Sequence, residues 1–139
     1  MSQAVRGIVA VLLGLGFALA ITYLVDWVNL RMYPLPTGAD LADPASMKAA
    51  MATLPRAALA IVLGGWFVSA LAGACAAAGV ARPAGWPPLA VGVTLFAIAV
   101  ANMQMLRRPV WFCIIGVAIY PVATWLGARL GGTPVKRRG

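Results

Sequence analysis

The chain has 139 residues, of which 63% are hydrophobic and 10% charged, with 11 Lys and Arg against 3 acids and a net charge of +8. A soluble domain is nearer half apolar and a quarter charged, and one this short cannot hide so much apolar surface in a single core, so lipid must cover most of it. The cations sit singly or in short groups at the ends of apolar runs, a membrane-flank pattern that argues against nucleic acid as a partner, and the absence of any histidine removes zinc fingers, histidine-ligated haem and Ser-His-Asp triads together.

The first apolar run covers 7–28. It is long enough to cross a hydrocarbon core of about 30 Å at roughly 1.5 Å per residue. Arg6, the apolar stretch and Ala18-Leu19-Ala20 also resemble a signal peptide with its cleavage site. The run continues through Ile21, Tyr23 and Val25 past that site, so a retained helix is expected.

The loop over 30–53 is the longest polar stretch. Pro34, Pro36 and Gly38 force a turned, extended path. Asp43-Pro44 then reads as N-cap and first residue of a short helix. Met47, Ala50, Met51 and Leu54 fall on one face of it, which suits a helix lying flat at the interface. Asp40 and Asp43 serve turn and cap here; with no glutamate in the chain they are too few oxygens for a calcium loop.

The second run covers 54–80 and opens at Pro55, the third covers 86–106 with Pro87 and Pro88, and the fourth covers 109–131 and opens at Pro109. Proline suits a first helical turn because its missing N–H has no partner there in any case. Residues 132–139 form a basic tail. Only helices or closed barrels satisfy the backbone in lipid, and none of these runs has a period of two. The expected fold is therefore all-α, an integral membrane bundle of four transmembrane helices with a short interfacial helix in the first loop.

Four spans put both termini on one side. That side carries Arg6, Arg82, Arg129, Lys136, Arg137 and Arg138; the other carries Arg31, Lys48, Arg56, Arg107, Arg108 and all three acids. The Lys136-Arg137-Arg138 cluster favours a cytoplasmic location for both ends. Trp27, Tyr33 and Trp111 at the outer end, and Trp86 at the inner end, suit interface anchoring. Cys75 and Cys113 lie at depths about 25 Å apart on this topology, beyond disulfide reach of about 7 Å.

Two features could carry function. In the second span Gly65, Ser69, Gly73 and Ala77 recur every four residues, and in the fourth span Ala123, Gly127 and Gly131 repeat the idea. Such faces let backbones approach closely. They either pack the bundle of one chain or dock a second copy or larger partner, while Ile61 and Val62 are expected to face lipid. The second feature is a polar cluster at the outer end: Asp26, Arg56, Asn102, Gln104, Arg107 and Arg108. An ionisable residue near a span is a functional hypothesis by default. Asp26 is expected to face inward and to contact at least one of the others; the alternative is a plain interfacial anchor. Pro121, in mid-span, frees the carbonyl of Val117 and bends or hinges its helix.

The segment Met32-Tyr33-Pro34-x-Pro36-x-Gly38-x-Asp40-x-x-Asp43, then Leu54-Pro55, then Asn102-Met103 ahead of Pro109-x-Trp111, resembles a family of small bacterial four-span inner-membrane proteins with no assigned function. The similarity covers nearly the whole chain, which departs from the pattern in the arginines just before Pro109. It implies a bacterial inner membrane and a four-helix bundle, and no activity. The reading that follows is a non-enzymatic membrane protein without a cofactor or metal, embedded in the bilayer, self-associating or an accessory subunit of a larger complex. The alternative is a channel or carrier for a small solute built on Asp26 and the polar outer cluster.

Overall fold

A computed structural model describes residues 2–40, 42–82, 85–106 and 108–132. The described residues form five helices and no strand: α1 (Gln3–Met32), α2 (Pro44–Ala52), α3 (Arg56–Ala81), α4 (Trp86–Leu106) and α5 (Val110–Gly132). All but α2 are long and apolar enough to cross a membrane. Thirty residues make α1 about 45 Å long, so it overruns a hydrocarbon core of about 30 Å.

The local rules act where the sequence places them. The Asp43 carboxylate accepts from the backbone N–H groups of Ala45 and Ser46, with Pro44 in the first turn of α2. Gly38 takes a positive φ of 91° in the turn between α1 and α2, a conformation that side chains oppose. Ser2 caps α1 by accepting from the N–H of Val5. On α2, Ala50 is buried and Met47 and Met51 half-buried; this helix packs against α4.

The core is organised around α3, which packs on α1, α4 and α5, whereas α1 and α5 do not meet among the described residues. In its most apolar window 56% of α3 is buried, against 17% of α1. A Cβ at Gly73 would stand 2.8 Å from the Gly14 carbonyl oxygen, and one at Gly14 would stand 2.7 Å from that of Gly73. The two backbones therefore touch, and Ala18 and Ala77 flank the crossing. At Gly65 a Cβ would meet the Val25 side chain. On the other flank, Gly127 lies under Leu71 and Ala74, and Gly131 under the Cys75 carbonyl. Ser69 and Ala123 are also buried. Both small-residue faces are thus taken up inside one chain.

Three details depart from the sequence reading. Val62, expected to face lipid, is buried at 8% exposure because it lies on the flank of α3 that joins the core cluster. Pro55 precedes α3 as its N-cap residue and Pro109 precedes α5, so neither span begins as early as expected. A third small-residue face, Gly7, Ala10, Gly14 and Ala18 on α1, answers the one on α3. Cys75 and Cys113 are both free. The basic tail over 133–139 lies outside the described residues.

Candidate functional site

Gly14, Gly73 and Val91 join α1, α3 and α4 tightly toward the end that carries the termini. Toward the end of the bundle away from the termini, a cleft of about 110 Å³ opens, lined from all four spans. Thr22 and Asp26 come from α1, Trp66 and Ser69 from α3, Ala99 and Asn102 from α4, and Arg108 and Tyr120 from the α5 side. Asp26, Asn102 and Ile98 are exposed and form its mouth, whereas Trp66, Ser69 and Tyr120 are buried and form its back wall. Arg108 and Tyr120 are twelve residues apart, or about 18 Å along a helix. The cleft therefore reaches from the outer end toward the middle of the bundle.

Arg108 is the hub of this site. It sits in the short connection between α4 and α5, and its guanidinium turns inward over two rings, 4.7 Å from the Phe112 centroid and 5.9 Å from that of Trp66. Its Nη2 donates to Asn102 Oδ1 at 3.3 Å, while its Nε is buried without a partner. Burial lowers the Arg108 pKa from its ordinary value, and the facing Asp26 carboxylate pulls it back up. The side chain stays cationic, because arginine starts so far above neutral pH.

The aromatic wall is a continuous set of ring contacts. Trp66 meets Phe112 edge-on at 5.2 Å and Tyr120 at 6.1 Å, and Tyr120 meets Phe96 edge-on at 6.0 Å. Rings in this arrangement hold one another rigidly and give a cation a face to lie on. The hydroxyls of Thr22 and Ser69 donate to the backbone carbonyls of Ala18 and Trp66, so they line the cleft while bonded to their own helices.

Of the polar cluster anticipated from sequence, the structure brings together Asp26, Asn102 and Arg108. Arg56 and Gln104 are exposed and do not line the cleft. Arg107 lies outside the described residues. The expected inward contact of Asp26 is not formed: among the described residues its carboxylate is exposed and makes no hydrogen bond or ion pair, because α1 turns it to the rim of the cleft rather than into the bundle. Asp26 therefore belongs to the cleft, at its mouth rather than in its interior. Sequence reasoning missed Tyr120, Phe112 and the role of Trp66. The available signal was an indole and a phenol at mid-span depth, where interface anchoring gives them no reason to be.

The seven small residues Gly65, Ser69, Gly73, Ala77, Ala123, Gly127 and Gly131 build the scaffold beneath this site, and only Ser69 touches it. No group of His, Cys, Asp and Glu suited to a metal ion occurs among the described residues. In comparisons with known proteins, the chain matches no family model, no curated protein and no solved structure.

Proposed function

We propose that this chain is a non-enzymatic integral membrane protein that works by association, as a self-associating protein or as an accessory subunit of a larger membrane assembly, with the outer cleft as its docking element. The observation that supports this reading is the meeting of Asp26, Asn102 and Arg108 in a cleft whose mouth lies on the flank of the bundle. Charged and amide groups on such a flank are costly unless paired, and polar contacts between spans are one of the forces that join them. The small-residue faces are used up within the chain, so the partner's contact falls on this cleft and the outer half of α1, where Leu19, Tyr23 and Trp27 are exposed. The basic tail and the resemblance of the loop pattern support a bacterial inner membrane with both termini cytoplasmic. Mass measurement of the complex released by a gentle detergent tests the reading. A mass above that of one chain, lost on Asp26→Leu, is expected. A lone monomer from wild type overturns it.

A second reading, a carrier for a small polar solute, is favoured by one observation: the buried Arg108 Nε without a partner in a cleft that also presents a carboxylate. The tight Gly14–Gly73–Val91 packing beneath the cleft means that such a carrier alternates between states rather than holding an open pore. On this reading Asp26→Asn abolishes uptake and leaves the mass of the complex unchanged.

A further inference from the structure

The inner end of the bundle carries a second pair of features that the outer cleft does not explain. A hollow of about 270 Å³ lies where α1, α3 and α4 converge, and it is lined by Gln3, Arg6, Arg82 and Trp86. Beside it runs a groove of about 460 Å³ between α4 and α5, walled by Leu89, Val93, Phe96, Pro121 and Trp125. Gly85 lines both, so the hollow and the groove adjoin. One is cationic and the other apolar.

Among the described residues that line the hollow, the charge has no acidic counterpart. The chain's three acids are Asp26, Asp40 and Asp43, one in the outer half of α1 and two just ahead of α2. Among the described residues no acidic side chain lies at that end beside Arg6 or Arg82, and both arginines are exposed. A third, Arg129, stacks 5.0 Å over the ring of Trp125 at the rim of the groove. The groove runs from Gly85 to Phe96, eleven residues or about 17 Å of helix. That matches the thickness of one leaflet's hydrocarbon, half of about 30 Å.

We propose that this composite site binds one anionic phospholipid of the leaflet on the terminal side, its phosphate held between Arg6 and Arg82 and an acyl chain laid in the α4–α5 groove. Charge complementarity selects the headgroup, and guanidinium groups bind phosphate oxygens through paired N–H donors. Trp86 stands at the junction, where an indole suits the boundary between headgroup and chain. Its ring packs over Gly7, where a Cβ would stand 2.6 Å from it, so α1 holds the ring in place. At Gly92 a Cβ would meet the Thr124 side chain, so this glycine lets α5 close the floor of the groove against α4.

Native mass spectrometry of the full chain, released from nanodiscs holding equal phosphatidylglycerol and phosphatidylcholine, tests the proposal. Wild type is expected to retain phosphatidylglycerol on the order of tenfold more than phosphatidylcholine, given two arginines near the headgroup. The double variant Arg6→Gln, Arg82→Gln is expected to remove that preference, and these exposed positions leave the core untouched. Val93→Trp, which fills the groove, is expected to lower retention of both lipids severalfold. Arg31→Gln, at the opposite end, leaves the preference unchanged. Equal retention of the two lipids by wild type, or an unaltered preference in the double variant, overturns the proposal. So does inorganic phosphate that protects the chain against heat as well as phosphatidylglycerol does, since that assigns the hollow to free phosphate.

Discussion

Gly64 and Gly65 are neighbours in sequence with opposite surroundings. A Cβ at Gly64 meets nothing within 4 Å, whereas one at Gly65 meets the Val25 side chain. Leucine at Gly65 is expected to destabilise the bundle by about 1–3 kcal/mol through overpacking, and leucine at Gly64 to be nearly neutral. Gly73→Leu is the more severe case, because the obstacle is the Gly14 carbonyl, a backbone atom that cannot rotate away. Unfolding in mixed detergent measures all three, and equal stability of the Gly64 and Gly65 variants would contradict the α1–α3 contact. The outer site gives a second test at this scale. Arg108→Gln removes a cation from two ring faces and takes the positive charge out of the cleft that Asp26 also lines. A loss of about 1–2 kcal/mol is expected, and Arg108→Lys should recover little of it, since an ammonium lacks the flat guanidinium that lies on the rings.

At the scale of the helix, burial decides how much a large side chain matters. Trp66 and Trp125 are both indoles in long apolar helices, but Trp66 is 7% exposed and Trp125 is 58% exposed. Trp66→Ala leaves a cavity among Phe112, Tyr120 and Arg108 and is expected to cost about 3–5 kcal/mol. Trp125→Ala swaps a lipid contact for a smaller one and should shift the same unfolding curve little. The sequence separates these two tryptophans poorly, because every span is apolar on all sides. In a soluble helix a polar face marks the outside; in lipid that mark disappears, and only small residues and stray polar ones indicate the buried face. This is also why Val62 reads as lipid-facing from sequence and is buried in the structure.

For the whole molecule, the order of contacts sets the topology. Gly14 meets Gly73 while Val25 meets Gly65, so α1 and α3 run antiparallel; Gly127 lies by Leu71 and Gly131 by Cys75, so α3 and α5 run parallel. Both ends therefore fall on one side of the bundle. In a variant whose native cysteines are replaced by alanine, a cysteine at Ser2 and one at Gly132 are expected to react with a membrane-impermeant maleimide from the same side, and one at Gly38 from the other. Labelling of Ser2→Cys and Gly132→Cys from opposite sides would reject an even number of spans.

Hydrocarbon leaves a chain of this composition few options. The existence of four spans, their limits to within a few residues, the capped helix at Asp43-Pro44 and the close-packing glycines are legible from residue order, because backbone satisfaction in lipid and proline and glycine stereochemistry act locally. Which face meets which helix is not local. Gly7, Ala10, Gly14 and Ala18 have a partner only once α3 lies across them. Tyr120, Trp66, Asn102 and Asp26 are spread over almost a hundred residues and share a cleft only because four helices converge there. Arg56 and Gln104, equally polar and at similar depth, stay outside it. Sequence supplies a residue's depth along its span through a fixed rise per residue. Its rotation about that span is set by the packing of neighbouring helices, and rotation is what separated the site from the surface.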